Sequence, residues 1–423
     1  MADKSKIEWT DATWNPIRGC SRVSEGCRHC YAEGVAARFS KPGQAYEGLA
    51  DFKIIGQGTK NVRSEAHWTG KIQVVPELMD QPLRWRKPRK IFVNSMSDLF
   101  HEGVSDEVLL GLFTVMANSH IATHGWDQTH VFQVLTKRPE RMQKFVSRLR
   151  WRLALGIVEI GGRGHMLNYL PELEGERDVW VSLGGVHRVG KKDQMPKGWV
   201  PPQIWLGVSV EDQKTADARI PLLLQTPAAV RWVSAEPLLG PVDLPLPDPG
   251  CNHPHCDGID SSNGPDKVWV CRVCDGLMTG DSMLTPLHWV VVGGESGPGA
   301  RPMHPDWARQ LRDQCQEWGV PFFFKQWGEW KPLAPMYASD NGGEDPEELM
   351  DGSCPDRTIS LEQSGIETPL RDNGYYEYQP PFGTWLMERV GKRAAGRILD
   401  GREWNEYPSV SRPSQEQEAV HAK

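Results

Sequence analysis

The sequence has no apolar run that approaches the ~18 residues needed to cross a membrane. Residues 1–6 also lack the apolar core of a secretion signal, and we therefore expect a cytoplasmic protein. An excess of positive charge is missing as well, because the 423 residues carry a formal net charge of −7. Contacts with nucleic acid would thus need local basic patches. The share of hydrophobic residues, 39%, excludes a disordered chain and suffices for a sizeable core.

The cysteines are grouped rather than spread evenly along the chain. Their number is nine, and an odd number without a secretion signal favours metal ligands over disulfides. The two groups are Cys20, Cys27 and Cys30 near the amino end and Cys251, Cys256, Cys271 and Cys274 in the second half. Cys315 and Cys354 stand alone. The grouping predicts two metal centres rather than a disulfide framework.

Short apolar segments alternate with helical patterns, which is typical of a parallel α/β fold. Continuous apolar runs such as 90–94 suit strands that are buried on both faces. Helical patterns follow them, for example after the N-cap candidate Ser105 and from Pro139 onward. The predicted fold class is therefore α/β, a parallel βα barrel of the partial TIM type. Its seven candidate strands are 13–17, 90–94, 131–135, 204–210, 230–235, 288–292 and 320–324.

Stretches of different composition interrupt this alternation and define the predicted domain organisation. A first part of the barrel covers 1–244 and carries an insertion at about 161–198. A four-cysteine insertion covers 245–285, and the last part of the barrel covers 286–330. The C-terminal extension, 331–423, holds an acidic, proline- and glycine-rich stretch at 331–374 and a basic segment at 389–402. A loop is expected over the acidic stretch.

The first cysteine group forms a loop, Gly19-Cys20-x6-Cys27-x2-Cys30-Tyr31, between the first candidate strand and a predicted helix. Three thiolates can hold three irons of a [4Fe–4S] cluster and leave the fourth iron open. The alternative is a zinc site that adds a histidine such as His29, since structural zinc needs four ligands. The strand–loop–helix context and the barrel that follows favour the iron–sulfur interpretation.

This loop resembles the three-cysteine loop of the radical S-adenosylmethionine (SAM) superfamily, although its first gap is six residues instead of the usual three. More closely, the sequence is similar to a phage- and prophage-encoded three-Cys-motif family related to the spore photoproduct lyase branch. The similarity covers most of the chain outside the two insertions. The stretches that carry it are IEWTDATWNPIRGC, GCRHCYAE, FVNSMSDLF, VLTKRPERM, WLGVSVED, SAEPLL, VVGGESGPGARP, FFKQWGEW and GRILDGREW.

The resemblance implies a radical SAM enzyme of the isomerase or lyase class. A [4Fe–4S] cluster on Cys20, Cys27 and Cys30 would bind SAM, and an electron donor would reduce the cluster. The implied reaction is rearrangement of a nucleobase, foremost a modified thymine in phage DNA, inside the host cytoplasm. Repair of a thymine lesion is one alternative. An alternative of another class is a non-catalytic, zinc-dependent nucleic-acid-binding protein. No catalytic side chain is assigned.

Polar side chains follow several candidate strands, at the barrel end where ligands bind. In the radical SAM superfamily the second strand end receives the amino group of SAM, and the fourth meets its ribose or carboxylate. Pairing of the carboxylates with Lys137, Arg138 or Arg219 is the alternative interpretation. The glycine-rich loop 293–299 suits either a ligand or a tight turn. The candidate cofactor-binding residues are Ser95, Ser97, Asp98, Ser209, Glu211 and Glu236.

The second cysteine group, Cys251-x4-Cys256-x14-Cys271-x2-Cys274, has the spacing of a zinc ribbon. Zinc there would be structural, because the hydrophilic stretch between the two pairs could not fold without a metal. An auxiliary iron–sulfur cluster is the alternative.

A basic segment lies just ahead of the second candidate strand. It surrounds Trp85 with cations, a pattern that suits phosphate contacts and base stacking. Solvated surface charge is the other interpretation. The candidate nucleic-acid contacts, with DNA favoured over RNA, are Arg84, Arg86, Lys87, Arg89 and Lys90.

Overall fold

The computed structural model describes most of the predicted barrel and parts of the insertions and the C-terminal extension. The described residues are 5–55, 63–119, 129–160, 163–173, 198, 200–245, 258–260, 268–271, 277–279, 287–335, 358–369 and 383–409.

Seven parallel strands form one curled sheet, a half-barrel, in which the order of strands in space is their order along the chain. Each neighbouring pair is parallel. Every candidate strand overlaps one of them, which confirms the prediction of a partial parallel barrel. The strands are β1 (Ala12–Trp14), β2 (Lys90–Val93), β3 (Val131–Thr136), β4 (Ile204–Val210), β5 (Val230–Ala235), β6 (Trp289–Gly293) and β7 (Phe322–Gln326).

Helices connect these strands. The first, Tyr31–Arg38, packs against the hairpin of Ala50–Ile55 and Arg63–Trp68, and the longer helices that follow bury apolar side chains against one face of the sheet. Ser105 caps α2 (Asp106–Asn118) by accepting a hydrogen bond from the backbone N–H of Val108. Asp212 and Thr215 form a capping box at the start of α4 (Gln213–Leu224). The helices are α1 (Tyr31–Arg38), α2 (Asp106–Asn118), α3 (Pro139–Arg148), α4 (Gln213–Leu224) and α5 (Pro305–Glu317), with short helical turns at Glu25–Cys27, Pro76–Met79, Gln81–Arg84 and Lys392–Ala395. No helix in the described ranges is both long and apolar enough to span a bilayer.

The remaining strands form small antiparallel sheets. Between α3 and β4, Leu149–Ile160 pairs with Arg163–Leu173, so the interruption starts ahead of the predicted insertion at 161–198. The other two-stranded sheets pair Ile17–Arg18 with Gln73–Val74 and Ala50–Ile55 with Arg63–Trp68. The four-cysteine insertion contains a three-stranded sheet of Gly258–Asp260, Val268–Cys271 and Leu277–Thr279.

The loop expected over 331–374 is wrong for its described parts, which contribute strands to a four-stranded antiparallel sheet. Its order is Trp330–Pro335, Trp385–Arg389, Thr358–Leu361, Glu367–Pro369. Ile359, Leu361, Met387 and Trp330 form a small buried cluster in this sheet. These few apolar side chains suffice for strand pairing, although the acidic residues around them mask the pattern in the sequence.

Aromatic side chains fill the inside of the half-barrel at the amino ends of its strands. Trp9, Trp232 and Trp289 contact each other at ring-centroid distances of 5.2–6.1 Å. Tyr407 stacks on Trp289 at 5.3 Å. Just before Tyr407, the Trp404 carbonyl accepts a hydrogen bond from the backbone N–H of Phe324 in β7. The segment 404–407 therefore covers the edge strand β7 and packs against one end of the half-barrel.

His130, directly ahead of β3, generates a pH-dependent prediction. It is 1% exposed between Trp85 and Phe132. Burial, helped by the nearby Arg89, lowers its pKa from 6.5 to about 4. As the pH falls below 6.5, the His130 imidazole takes up a proton in the unfolded chain, whereas in the folded protein it stays neutral until about pH 4. Protonation of His130 therefore does not affect the free energy of unfolding above pH 6.5. Toward pH 4 it lowers this free energy, by roughly 3 kcal/mol at most.

We expect His130→Gln to flatten the dependence of the free energy of unfolding on pH between 4 and 6.5 by up to one proton's contribution. Urea unfolding of both proteins across this range measures the two slopes. Equal slopes would contradict the prediction.

Candidate active site

A cavity of about 260 Å³ opens at the carboxyl ends of the parallel strands. Its base is apolar and includes Trp9, Phe92 and Leu135, which belong to the inner aromatic cluster or pack against it. Its walls are polar and combine the three-cysteine loop with the residues that end β2, β3, β4, β5 and β7. This is the end of a parallel barrel at which ligands bind.

The three-cysteine loop forms one wall of this cavity. Cys20 follows the short strand Ile17–Arg18, Cys27 ends the turn Glu25–Cys27, and Cys30 is the N-cap of α1. All three are free, partly buried thiols that line the cavity. Burial raises the pKa of Cys30, and nearby Cys27 raises it further. The structure therefore places the predicted trio along the wall of one cavity.

Two buried carboxylates hold this loop in place. Glu33, 2% exposed, forms an ion pair of 2.6 Å with Arg22. Glu211, 1% exposed, accepts a hydrogen bond of 3.1 Å from the Ser24 hydroxyl. Gly26 of the loop lies against Glu211. A Cβ atom at this position would lie 2.4 Å from the Glu211 side chain, so a larger residue would displace this carboxylate. The loop is therefore anchored both to α1 and to the residue that follows β4.

Arg138 links the cysteine loop to the barrel. Its guanidinium, 5% exposed, lies 3.9 Å from the Cys20 sulfur and 3.1 Å from Asp98 Oδ2. Burial and the Asp98 charge raise the pKa of Cys20 to about 12, while Arg138 acts in the opposite direction. At neutral pH the Cys20 sulfur is therefore a thiol unless a metal cation replaces its proton.

The donor set of the loop suits a cluster in its chemistry. Within the described ranges, no three His, Cys, Asp or Glu side chains lie close enough together to hold a single metal ion. A [4Fe–4S] cluster makes a different demand, because each of its cysteines binds a separate iron. Three free thiols along one cavity wall, with a buried cation beside the first, are compatible with that demand.

The structure brings five of the six candidate cofactor-binding residues to the cavity: Ser95, Ser97, Asp98, Ser209 and Glu236. Several of them are already engaged. Asp98 accepts hydrogen bonds from Thr136 and Arg138, and Glu236 pairs with Lys325 at 2.7 Å. The Ser97 hydroxyl donates to the Ile17 carbonyl at 3.0 Å. These side chains therefore shape the cavity wall through contacts within the protein.

Glu211, the sixth candidate, lies behind the wall. Its carboxylate pairs with Lys137 and, at 3.0 Å, with Arg219, in addition to its bond with Ser24. Lys137 also donates to the Ser209 hydroxyl at 2.6 Å. Glu211 is therefore paired with cations, as the alternative interpretation of the candidate carboxylates predicts.

Sequence reasoning assigned no role to three residues that line the cavity. Lys325 and Gln326 end β7, and Asn94 follows β2. Polar residues at the end of the apolar run FFFKQ were a usable signal for the first two. Asn94 has a left-handed backbone with φ of 59°, which the sequence does not reveal.

The glycine-rich loop 293–299 is explained by a close backbone approach. A Cβ atom on Gly294 would lie 2.0 Å from the Trp327 carbonyl oxygen. The backbone N–H of Gly294 also donates to the Gln326 carbonyl at 2.9 Å. The tight-turn interpretation accounts for this glycine without a ligand.

The basic segment 84–90 lies at the other end of the half-barrel. Lys90 is the first residue of β2, so the segment lies at the amino ends of the strands, away from the cavity. Arg84 pairs with Asp80 at 3.2 Å, and Arg89 and Lys90 lie over the rings of Trp85 and Tyr407. Arg86 and Lys87 are exposed. The structure does not bring these candidate nucleic-acid contacts to the cysteine loop.

The four-cysteine group lies mostly outside the described residues. This holds for Cys251, Cys256 and Cys274, while Cys271 is the last residue of the strand Val268–Cys271. The zinc site stays a prediction.

The fold and the cavity define an α/β half-barrel protein with a cysteine-lined cavity at the carboxyl ends of its parallel strands. The chain belongs to the family described as "Protein of unknown function (DUF5131)", whose model matches residues 4–408. The half-barrel, the cavity and the C-terminal sheet all lie within this match. No curated protein and no solved structure matches the chain.

The cations around Glu211 generate a stability prediction. Glu211→Gln leaves Arg219, 8% exposed, and Lys137 without their carboxylate. Breaking a buried ion pair from one side costs about 3–5 kcal/mol. We expect a loss of this size in the free energy of unfolding measured with urea. The matched control is Glu102→Gln, which removes a 70% exposed partner of Arg138 and should cost under about 1 kcal/mol. Equal losses in both variants would contradict the prediction.

Proposed function

We propose that this protein is a radical SAM enzyme. The observation that carries the proposal is the position of the three free thiols, which line one cavity at the carboxyl ends of the parallel strands. The motif resemblance to the radical SAM superfamily adds to it. In this proposal Cys20, Cys27 and Cys30 hold a [4Fe–4S] cluster whose fourth iron is open to SAM. When bound and reduced by an electron donor, these cofactors supply a 5′-deoxyadenosyl radical.

The side chains of this protein position and shield that chemistry. Arg138 supplies a positive charge beside the Cys20 sulfur, which favours the thiolate that binds metal. Glu33 and Glu211 hold the loop against α1 and β4. The base of the cavity, with Trp9 and Phe92, keeps water away from the lower part of the site. Each contribution is one of position or electrostatics, and none is a proton transfer.

The proposed substrate is a nucleobase in DNA, foremost a modified thymine that is rearranged in an isomerase-like reaction of phage DNA hypermodification. The similarity to the phage- and prophage-encoded three-Cys-motif family supports this choice. A base must leave the helical stack to enter a cavity at the barrel mouth. The apolar, aromatic base of the cavity suits the flat face of such a group. The basic segment 84–90, at the opposite end, would then contact DNA away from the reacting base.

The cluster can be tested directly. After anaerobic purification and reconstitution with iron and sulfide, we expect a brown protein that cleaves SAM to 5′-deoxyadenosine when reduced. Cys27→Ala should lose the cluster absorbance and at least tenfold in SAM cleavage, because one iron loses its ligand. Cys315→Ala is the matched control, since this buried cysteine belongs to α5 and should leave both signals intact. A colourless protein that retains zinc would contradict the proposal.

The substrate is tested in cells. We expect mass spectrometry of nucleosides from phage or host DNA to detect a base that depends on the wild-type protein. Cells with the Cys27→Ala variant should lack this base. Identical nucleoside profiles in both would contradict a DNA substrate.

A further inference from the structure

Asn94 carries a buried side-chain amide for which the described part of the chain provides no hydrogen-bond partner. It is 2% exposed and lines the cavity. Neither its Oδ1 nor its Nδ2 atom has a partner among the described residues. Burying an amide without partners is costly, so such groups in native proteins call for an explanation. A ligand that fills the cavity and completes both hydrogen bonds is such an explanation.

The backbone around Asn94 holds this amide in place. Its N–H donates to the Trp14 carbonyl at 2.7 Å, and its carbonyl accepts from the N–H of Ser97 at 3.2 Å. Its φ of 59° lies in the left-handed region, which asparagine tolerates better than most residues. The structural hydrogen bonds of this turn are made by Asn15 instead, whose Oδ1 accepts from Ser95 and Met96. Among the described residues, the Asn94 side-chain amide therefore makes no hydrogen bond that holds this turn.

The rest of the cavity indicates what kind of ligand fits. Its base is apolar and aromatic, with Trp9, Phe92 and Leu135. The acidic side chains in its walls have partners within the protein, with Asp98 bound to Arg138, Glu236 to Lys325 and Glu295 to Arg301. A neutral amide above an apolar base suits a flat ring whose edge carries an adjacent donor and acceptor.

Gln326 provides a second, independent sign of a polar ligand. It is 4% exposed in the cavity wall at the end of β7, and its Oε1 atom also has no partner in the part of the chain that the structure describes. Its Nε2 atom donates to the Gly294 carbonyl, which leaves the oxygen to accept. Two strand ends of the half-barrel thus offer unpaired hydrogen-bonding groups to one cavity.

We propose that Asn94 binds the hydrogen-bonding edge of a nucleobase that lies against the apolar side chains at the bottom of the cavity. An asparagine amide pairs in two places with such an edge, as it does with N6 and N7 of adenine. The inference rests on the proposed function only for the source of the base. That source is either the adenine of a SAM-type cofactor or the base of the substrate, and both have the same chemistry at Asn94.

The test uses the full-length protein without iron and follows tryptophan fluorescence, since Trp9 lies at the base of the cavity. The probes are adenosine, thymidine and L-methionine. The variants are Asn94→Asp, which keeps the shape but loses the donor, and Asn94→Gly, which also suits a positive φ. We expect at least tenfold weaker binding of one nucleoside by both variants. The nucleoside affected identifies the source of the base.

Two controls separate binding from folding. Asn405→Asp alters an exposed asparagine beside β7 and should leave nucleoside binding unchanged. The Asn94→Gly variant should unfold at the same or a higher temperature than the wild type, because it removes an unpaired buried amide. A large drop in its unfolding temperature would assign Asn94 a structural role and overturn the inference.

Other outcomes also overturn the inference. One is nucleoside binding that does not change in either Asn94 variant, and another is the absence of nucleoside binding by the wild type. Methionine binding that depends on Asn94 while nucleoside binding does not would assign the amide to an amino acid group instead. A protein that binds nucleoside through Asn94 but never forms a cluster would overturn only the proposed function. A protein that cleaves SAM but binds nucleosides independently of Asn94 would overturn only this inference.

Discussion

All seven strands of the half-barrel run in the same direction, and the site depends on this constraint. Parallel strands must each be reached by a connection that returns to the starting edge, so the residues after every strand collect at one end of the sheet. The three-cysteine loop after β1, Asp98 after β2, Arg138 after β3 and Glu236 after β5 are far apart in the chain but line one cavity. The opposite end is filled by tryptophans and covered by the segment 404–407, and the cavity opens at the carboxyl end.

Charge pairing in the wall has two effects on this cavity. Arg138 with Asp98 and Arg219 with Glu211 satisfy buried charges that would be costly alone, and they hold the cysteine loop against the strands. The same pairing occupies the acidic side chains at the strand ends. Asn94 and the Gln326 oxygen are left without partners in the described ranges. The wall thus combines groups that are paired within the protein with groups that have no partner among the described residues.

Radical chemistry at such a site needs few acid–base groups from the protein. The proposed cofactors supply the reactive species, and the side chains supply thiol ligands, position and protection from water. This agrees with a cavity in which Asp98 and Glu236 are engaged in ion pairs with Arg138 and Lys325. The proposed cofactor depends on the cysteine motif and its resemblance to the radical SAM superfamily. The proposed shape of the ligand depends on the cavity.

The sequence alone predicted the seven parallel strands, the helical patterns that follow them and the position of the cysteine loop, because each depends on the local periodicity and spacing of residues. The runs around β2 and β4 are mostly apolar, which made strands predictable there without a structure, and β4 is buried along its whole length. It misled where apolar residues were few, as in the sheet that holds Ile359 and Leu361 within an acidic extension. Only the tertiary structure decided which polar strand-end residues remain unpaired. Glu211 and Asn94 are both polar residues that follow a strand. The Glu211 carboxylate pairs with two cations, whereas the Asn94 side chain has no hydrogen-bond partner in the described chain. That difference comes from contacts between segments distant in sequence, which no local pattern encodes.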